Sequence, residues 1–540
     1  MRSEKAVPRF RILRVIALCL ALILCTVPAG CAHSAAKPAA APNDNVRTWY
    51  EVFVPSYFDS NGDGTGDLRG LAQKLDYLND GRGGGLGVTG IWLMPIMPSP
   101  SYHKYDVTDY FSVDPSLGTL ADFRALAAAC HRRGVKLILD FEANHTSSQN
   151  PWFLSAVKTL KQNPSHPAAN PYLSYYNFVR GQPSAGHYAP VGDTGWYYED
   201  EFADTMPDLN LDSPAVRAEL FRSARFWLGQ GADGFRLDAV LYYYGSDGSG
   251  DTDKNVGFVN AFTGACRSVN PGAYVVGEVW SDATTVSSYY AAKNCSFFAF
   301  PFAQATGYIA QTLNLSGADY SAQHFALVQQ EWQQMLQAVN KNAVDAPFLS
   351  NHDQDRSAGY FSGSVAKMKM AAALYLFMDG GPFLYYGEEL GMTGSGRDEN
   401  KRGPMYWSAS VKTGMTKGPA GMTEDAHLLP AADAQLKDPQ SLLSFYKNAI
   451  RLRERFPAVA RGEISIPAGI ANPEVCAIRK TWRGQSVVLV YNLAPSAQTL
   501  DVAAFAKGMR LGGQLSAGTA RVKLSGSRLR LPSMSLAVLS

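Results

Sequence analysis

Short apolar runs alternate with longer helical stretches over most of this 540-residue chain. Apolar runs separated by helical segments indicate parallel strands joined by helices. Eight such strand–helix units predict an α/β fold, a (β/α)8 TIM barrel. A doubly wound open sheet is the alternative, but the glycine-rich phosphate-binding turn expected after its first strand is missing. We expect barrel strands at residues 49–54, 90–94, 135–141, 234–237, 274–277, 296–300, 346–349 and 382–385.

Two segments depart from this alternation and predict further domains. Residues 146–205 are rich in Asn, Pro, Tyr and Gly and are too long for a plain loop in a compact barrel. We therefore expect a small inserted subdomain B after strand three, overhanging the C-terminal face of the barrel. Residues 456–540 contain short alternating runs between Gly, Pro and Asn, which predicts a C-terminal antiparallel β-sandwich. The barrel then comprises residues 47–145 and 206–455.

The first 31 residues have the pattern of an export signal. A basic start precedes an apolar stretch at residues 15–27, which is too short to span a membrane comfortably. It ends in Ala29-Gly30-Cys31, which resembles a bacterial lipobox with Cys31 as the lipid-anchored residue. Pro28 departs from that pattern, so an ordinary secretory signal is the alternative. Residues 32–46 are rich in Ala and Pro and predict a flexible tether, so we expect an exported lipoprotein at the cell surface or in the periplasm.

The charge and cysteine content limit the classes of partner. A formal net charge of +2, with no Lys/Arg cluster beyond the N-terminus, argues against nucleic-acid binding. We expect a monomer. Four cysteines lie beyond the export signal without metal-binding spacing, so disulfide pairing and buried free thiols both stay open. They are Cys130, Cys266, Cys295 and Cys476.

Three acids, Asp238, Glu278 and Asp353, each follow a predicted strand and should meet at one rim of the barrel. Arg236 lies two residues before Asp238, so strand alternation places both on one face and the arginine favours the ionised carboxylate. Glu278 precedes Val279 and Trp280, an apolar setting that raises a carboxyl pKa. Taken singly, each acid is equally consistent with a helix N-cap or a surface charge. Together, one ionised and one protonated carboxyl are what glycosidic bond cleavage requires.

Five segments in order carry a resemblance to a known family. They are Asp140-Phe-Glu-Ala-Asn-His145, Met206-Pro-Asp-Leu-Asn210, Gly234-Phe-Arg-Leu-Asp238, Glu278-Val-Trp280 and Phe348-Leu-Ser-Asn-His-Asp353. Jointly they resemble glycoside hydrolase family 13, the α-amylase family. The second segment, with Asp398-Glu-Asn-Lys-Arg402, is similar to the group between oligo-1,6-glucosidases and neopullulanases, which includes bacterial lipoprotein α-amylases.

The resemblance implies a retaining hydrolase of α-glucans such as starch and maltooligosaccharides. It implies Asp238 as nucleophile, Glu278 as acid/base and Asp353 as transition-state stabiliser. Asp140 would support the site from strand three. The implied substrate-binding residues are Tyr105, His103, Asp106, His145, Arg236 and His352.

One departure bears on specificity. Typical α-amylases follow the nucleophile with Ala-x-Lys/Arg-His, whereas this chain has Ala239-Val-Leu241-Tyr242. The replaced pair normally binds glucose units on the leaving side, so endo action is in question. We expect an α-amylase acting on internal α-1,4 bonds. Oligo-1,6-glucosidase, neopullulanase and 4-α-glucanotransferase are the alternatives, and a non-catalytic glycan-binding protein is a distant one.

The loop after the first predicted strand has the spacing of a calcium site. Its oxygen-bearing residues alternate with glycines that permit sharp turns, as Ca²⁺ ligands do. They are Asp59, Asn61, Asp63, Thr65 and Asp67. The family has a calcium loop at this place, so we expect structural Ca²⁺, with a metal-free Asx-turn loop as the alternative.

Overall fold

Seven strands form one parallel sheet in the part of the chain that the computed structural model describes, residues 46–245, 250–424 and 427–540. In sheet order the strands are β10 (Phe383–Tyr385), β1 (Trp49–Val52), β2 (Gly90–Leu93), β3 (Lys136–Phe141), β7 (Gly234–Leu237), β8 (Tyr274–Gly277) and β9 (Cys295–Phe297). Their pairings are all parallel. The parallel sheet, with helices between its strands, confirms the predicted (β/α)8 architecture.

The segment predicted as the seventh strand, residues 346–349, closes the barrel without forming a regular strand. Single bridges join Ala346 to Phe298 and Phe348 to Phe383. Pro347 lies between them and has no N–H to donate, which interrupts the ladder. Proline also explains why β1 is shorter than predicted, because Pro55 begins a 3₁₀ turn at Val54–Ser56.

Helices cover the outside of the sheet, and their apolar stripes explain why. Helix α3 (Leu120–Arg132) begins with a Thr119–Asp122 capping box and buries Phe123, Leu126 and Cys130 on one face. The helices in chain order are α1 Leu68–Gln73, α2 Leu75–Leu78, α3, α4 Pro151–Gln162, α5 Pro214–Gln230, α6 Thr252–Arg267, α7 Ala283–Ser288, α8 Tyr308–Asn314, α9 Ala322–Val339, α10 Ser357–Tyr360, α11 Val365–Tyr375, α12 Asp398–Lys401, α13 Ala432–Gln435, α14 Leu442–Glu454, α15 Pro457–Arg461 and α16 Ala503–Ala506.

The chain between β3 and α5 has structure of its own. It contains α4 and an antiparallel sheet of β4 (Phe178–Arg180), β6 (Trp196–Glu199) and β5 (Tyr188–Pro190). Bridges from His145 to Asp208 and from Tyr176 to Leu209 join this insertion to the end of β3. The insertion therefore lies beside the carboxyl ends of the barrel strands.

The C-terminal segment forms two antiparallel sheets that face each other across a separate hydrophobic core. The five-stranded sheet is β11 (Glu463–Ser465), β12 (Val475–Trp482), β13 (Gln485–Asn492), β18 (Ser535–Leu539) and β15 (Leu511–Ser516). The three-stranded sheet is β14 (Gln498–Asp501), β17 (Arg528–Leu531) and β16 (Lys523–Ser525). Val488 and Val490 meet Leu529 and Leu531 in the core between them.

Polar contacts fix the five-stranded sheet to the barrel helices. The buried Lys480 ammonium forms an ion pair with Asp379 at 2.6 Å and donates to the carbonyls of Phe377 and Val459. The Tyr491 hydroxyl donates to the Ala373 carbonyl. A buried ammonium needs this full set of partners, because an unpaired one costs several kcal/mol. The described residues, from Val46 onward, belong to one compact unit.

The four cysteines beyond the export signal are free and buried. Burial raises the pKa of the Cys130, Cys266 and Cys476 thiols to about 12, so they stay protonated. No helix in the described part of the chain is long and apolar enough to cross a membrane. The predicted export signal, the Cys31 anchor and all of the tether except Val46 lie outside the described residues.

Candidate active site

The predicted acids meet at the carboxyl ends of neighbouring barrel strands. Asp140 on β3 is the register partner of Arg236 on β7, so both side chains lie on the same face of the sheet. Asp238 follows β7 and Glu278 follows β8. The Asp238 amide donates to Phe141 and the Glu278 amide donates to Leu237, which extends the sheet bonding to both acids. The backbone ladder therefore sets their positions.

One buried guanidinium contacts three of the carboxylates. Arg236 Nη1 lies 2.8 Å from Asp140 Oδ1 and 2.5 Å from Asp238 Oδ1. Its Nη2 lies 3.1 Å from Glu278 Oε2. The Arg236 side chain is 1% exposed, so water does not screen these interactions. Arg236 thus holds Asp238 and Glu278 side by side.

Glu278 has the ionisation behaviour that a general acid requires. Burial raises its pKa to about 7; the Arg236 charge opposes that rise, and Asp238 and Asp353 add to it. The Ala239 amide donates to Glu278 Oε2 at 2.9 Å and fixes the carboxyl. Ala239 adopts a left-handed φ of 52°, a strained conformation that aims this amide at the acid. The elevated pKa has the direction expected from sequence.

Asp353 has the opposite electrostatic setting. Its Oδ2 lies 2.9 Å from His352 Nε2 and its Oδ1 lies 2.8 Å from Arg402 Nη2. Burial acts to raise the pKa of Asp353, but the charges of His352 and Arg402 outweigh it and hold that pKa well below its usual range. Asp353 is therefore an ionised carboxylate opposite a protonatable Glu278.

A chain of hydrogen bonds links His352 to Asp140. His352 Nδ1 pairs with Glu51 Oε1 at 2.5 Å, and Nε2 lies 2.6 Å from the Tyr105 hydroxyl. That hydroxyl donates to Asp140 Oδ2 at 3.0 Å. Burial acts to lower the pKa of His352, but Asp353 and Glu51 outweigh it and raise the pKa to about 9. His352 is thus a cation at neutral pH.

The other predicted substrate-binding residues line the same region. His103 stacks on Tyr105, and Asp106 accepts a hydrogen bond from the Ser99 hydroxyl at 2.5 Å. His145 is buried, and neither ring nitrogen has a hydrogen-bond partner among the described residues. Burial lowers the pKa of His145, which favours the neutral ring. Its free ring nitrogens leave it able to bond a ligand hydroxyl.

The residues that replace the typical basic–His pair form an apolar surface beside Glu278. Leu241 is buried, and Tyr242 packs edge-on against Phe202 with ring centroids 5.1 Å apart. Phe202 is 46% exposed and also contacts His145. Trp280, 41% exposed, stacks on Phe300. Trp280 therefore faces solvent beside Glu278, rather than burying it as the sequence suggested.

Three residues that sequence reasoning had left without a role hold the site in place. Arg402 contacts both Asp353 and the Tyr102 hydroxyl. Glu51 pairs with His352, and the Trp92 indole donates to Asp140 Oδ2 at 3.1 Å. Glu51 lies on β1, where a charged side chain in an otherwise apolar strand was the available signal, whereas Trp92 on β2 carried no such signal. Arg402 belongs to the segment 398–402, already singled out as a motif.

The predicted calcium loop lies after β1, and its turns hold its own side chains. Asp59 accepts backbone amides from Asn61, Gly62 and Gly64, and Asp63 accepts the Thr65 amide. Ligands that are all oxygen suit Ca²⁺ in chemistry. The described residues contain no group of three or more His, Cys, Asp or Glu arranged to hold a metal. A cation here would thus also rely on amide, hydroxyl and backbone oxygens.

A lysine side chain, Lys417, also contacts this loop. The Lys417 ammonium donates to the Asp63 carbonyl at 3.2 Å, and its amide donates to the Gly64 carbonyl at 2.8 Å. Asp67 joins the loop to α1, because it accepts bonds from Ser60 and from the Gly70 amide at the start of that helix. Hydrogen bonds within the loop and to the Gly70 amide therefore fix its shape.

Comparison with known proteins places this site in a family. The alpha-amylase catalytic-domain model matches residues 51–462. "Alpha-amylase 3" of Dictyoglomus thermophilum is 36% identical over 451 residues, covering 82% of this chain and 84% of its own length. "Oligo-1,6-glucosidase" of Parageobacillus thermoglucosidasius is 27% identical over 523 residues, covering 82% and 89%.

Solved structures agree with these matches. Eubacterium rectale Amy13B is 40% identical with a TM-score of 0.87, covering 93% of this chain and 96% of its own. The alpha-amylase from H. orenii is 34% identical with a TM-score of 0.79, covering 92% and 99%. The chain belongs to glycoside hydrolase family 13, the α-amylase family.

Proposed function

We propose that this chain is a retaining α-glucan hydrolase, an α-amylase that cleaves internal α-1,4 bonds of starch and maltooligosaccharides. The observation that carries the proposal is the pair Asp238 and Glu278 held by one buried guanidinium, with the pKa of Glu278 raised to about 7. A retaining pair needs two carboxyl groups about 5–5.5 Å apart, one ionised and one protonated. Family membership supports the same reaction class.

In the first step, Asp238 attacks the anomeric carbon while Glu278 transfers its proton to the departing glycosidic oxygen. The C–O bond to the leaving sugar breaks and an ester bond to Asp238 forms. In the second step, the Glu278 carboxylate takes a proton from water, and the oxygen of that water displaces Asp238. Two inversions at one carbon retain its configuration, and both acids return to their starting states.

The surrounding charges favour the positively charged transition state of this reaction. The carboxylate of Asp353 is kept ionised by His352 and Arg402, so it can stabilise the positive charge that develops on the sugar ring. We assign His145, His103 and Asp106 to sugar hydroxyls and the Tyr105 ring to the sugar face. Asp140 supports the site by orienting Arg236 and Tyr105.

Bond preference depends on the side of the site that binds the leaving sugar. Tyr242 and Phe202 present aromatic surface there instead of a basic–His pair. Aromatic faces stack on sugars without a fixed hydrogen-bond direction, which tolerates more than one linkage. This observation favours oligo-1,6-glucosidase, neopullulanase or 4-α-glucanotransferase as the second candidate function. A non-catalytic glycan-binding protein is disfavoured because all three acids are present.

Product analysis on soluble starch, pullulan and maltotriose tests the function. We expect new reducing ends from starch, released as short maltooligosaccharides with α-configured products, and slower cleavage of pullulan. Tyr242→His should change the product lengths while leaving Asp238 and Glu278 in place. Phe221→Leu, at a half-buried position away from the site, is the control. Cleavage of α-1,6 bonds alone, transfer products alone, or no reducing ends at all would each contradict the α-amylase assignment.

The raised pKa of Glu278 predicts the alkaline limb of activity. The first step needs protonated Glu278, so kcat/KM on maltooligosaccharides should fall as pH rises through about 7. An aryl maltoside with a highly acidic leaving group needs no proton and serves as the matched control. We expect its kcat/KM to stay nearly flat over the same range. The same alkaline fall for both substrates would show that another group controls it.

We also propose that the loop at residues 59–67 binds one structural Ca²⁺. Asp59, Asn61, Asp63, Thr65 and Asp67 would hold it. The oxygen ligands and the positive φ of Gly62 and Gly64, which allow the sharp turns, support this. The ion would tie the end of β1 to the start of α1 and would take no part in bond cleavage.

Calcium removal should lower stability. Saturating Ca²⁺ is expected to raise the unfolding midpoint of residues 46–540 by about 2–3 °C over the chelated protein, because a ligand at about 100 times its Kd adds about 2.7 kcal/mol. Asp59→Asn should abolish the shift. Asp80→Asn, in a comparable Asx turn, should keep it. Equal midpoints with Ca²⁺ and with chelator would refute the site.

The export signal, the Cys31 lipid anchor and the monomeric state stay predictions from the sequence. Their consequence would be an enzyme tethered outside the cytoplasm, with the barrel connected through residues 32–46.

A further inference from the structure

Charge is unevenly divided along the chain. Residues 462–540 contain nine Lys and Arg against three Asp and Glu, a net charge of +6. Residues 46–461 contain 34 Lys and Arg against 42 Asp and Glu, a net charge of −8. The near-neutral total therefore hides a basic C-terminal segment joined to an acidic barrel. Such a molecule orients in the field of a charged surface.

The basic residues of the C-terminal segment gather on one face of its three-stranded sheet. Arg528 and Arg530 alternate on the central strand β17 with the buried Leu529 and Leu531, so both arginines point outward. Lys523 on β16 is the register partner of Arg530, and it is exposed. Arg521, also exposed, precedes β16. We call Arg521, Lys523, Arg528 and Arg530 the basic face.

The members of the basic face have no ion-pair partner among the described residues. Lys523 lies directly opposite Arg530, and like charges directly opposite each other are destabilising. The acid on this face is Asp501, the register partner of Arg528, and no ion pair joins them. Lysine on an edge strand such as β16 also blunts edge pairing. That explanation does not extend to Arg528 and Arg530, because β17 is the central strand.

The basic face points away from the barrel. The five-stranded sheet packs on the barrel helices through Lys480 and Tyr491, and its other side packs on the three-stranded sheet. The outer side of the three-stranded sheet is thus the far surface of the domain. It holds no aromatic platform among its exposed residues, and starch carries no charge, so this face does not suit the substrate.

The start of the described chain lies next to the C-terminal domain. Val46 lines a cavity of about 240 Å³ together with Ala460 and Ile464, where the barrel passes into β11. The 14 residues between Cys31 and Val46 are too few to carry the domain far from an anchor at Cys31. At about 3.5 Å per residue they span at most ~50 Å.

We propose that the basic face docks on the anionic lipid headgroups of the membrane that faces the enzyme. The charge division then keeps the acidic barrel, with its active site, on the solvent side. The lipid anchor predicted at Cys31 would attach the protein to the membrane, and the basic face would orient it there. This combination of one chain anchor and a basic patch is a recognised route to stable membrane docking.

Vesicle binding tests the proposal without the anchor. Residues 46–540 hold the hydrophobic cores of the barrel and of the C-terminal domain and can be produced without the N-terminal segment. We expect them to sediment with vesicles of phosphatidylcholine and phosphatidylglycerol, but not with phosphatidylcholine alone. Each basic residue near an anionic surface adds about fivefold to binding, so changing all four to Gln should weaken vesicle binding by about 600-fold. Binding should also fall at high salt.

A matched control variant distinguishes the effect of the basic face from the effect of net charge on vesicle binding. Lys158 and Lys161 on the insertion and Lys412 and Lys437 on the barrel are exposed, and changing these four to Gln alters the net charge equally. That variant should lose little binding, and both variants should keep the wild-type unfolding midpoint and starch cleavage rate. Equal losses in the two variants, or retained binding in the basic-face variant, would overturn the proposal. Binding to dextran sulfate but not to anionic vesicles would also overturn it, in favour of an anionic polymer.

Discussion

The ion pairs of Arg236 are the interaction on which the site depends. A guanidinium with 1% exposure would be strongly unfavourable alone, and it is stable here because Asp140, Asp238 and Glu278 surround it. Removing one member of such a buried cluster typically costs about 3–5 kcal/mol. The parallel register that places Asp140 beside Arg236 is therefore a functional as well as a structural constraint. The same contacts bring the proposed nucleophile and acid/base together.

The environment assigns different protonation states to chemically similar acids. Burial raises the pKa of Glu278 to about 7, and the guanidinium that opposes this rise also contacts two other carboxylates. Asp353 contacts both the His352 and the Arg402 cations, so it stays ionised. His352 in turn is kept charged by Glu51 from β1. The acid and the stabilising anion of the proposed reaction thus arise from how cations are distributed among the carboxylates.

Patterns of neighbouring residues predicted the features of this structure that are set locally along the chain. Strand alternation gave the shared face of Arg236 and Asp238, and the strand–helix pattern gave the barrel. The interruption at Pro347 was missed, because residues 346–349 were predicted as a strand although proline has no amide to donate. Contacts between residues far apart in the sequence could not be predicted. Arg402 reaches Asp353 from 49 residues away, and Phe202 in the insertion meets Tyr242 after β7. Such pairs depend on loop paths that a single sequence does not specify.

Covalent trapping tests the central claim most directly. Glu278→Gln removes the acid/base but leaves Asp238 against Arg236, so an activated 5-fluoro-α-maltosyl fluoride should form an intermediate that water cannot readily displace. Peptide mass spectrometry should then find the added maltosyl mass on the peptide containing Asp238. An adduct on Asp353, or no adduct with release of an inverted product, would contradict the account.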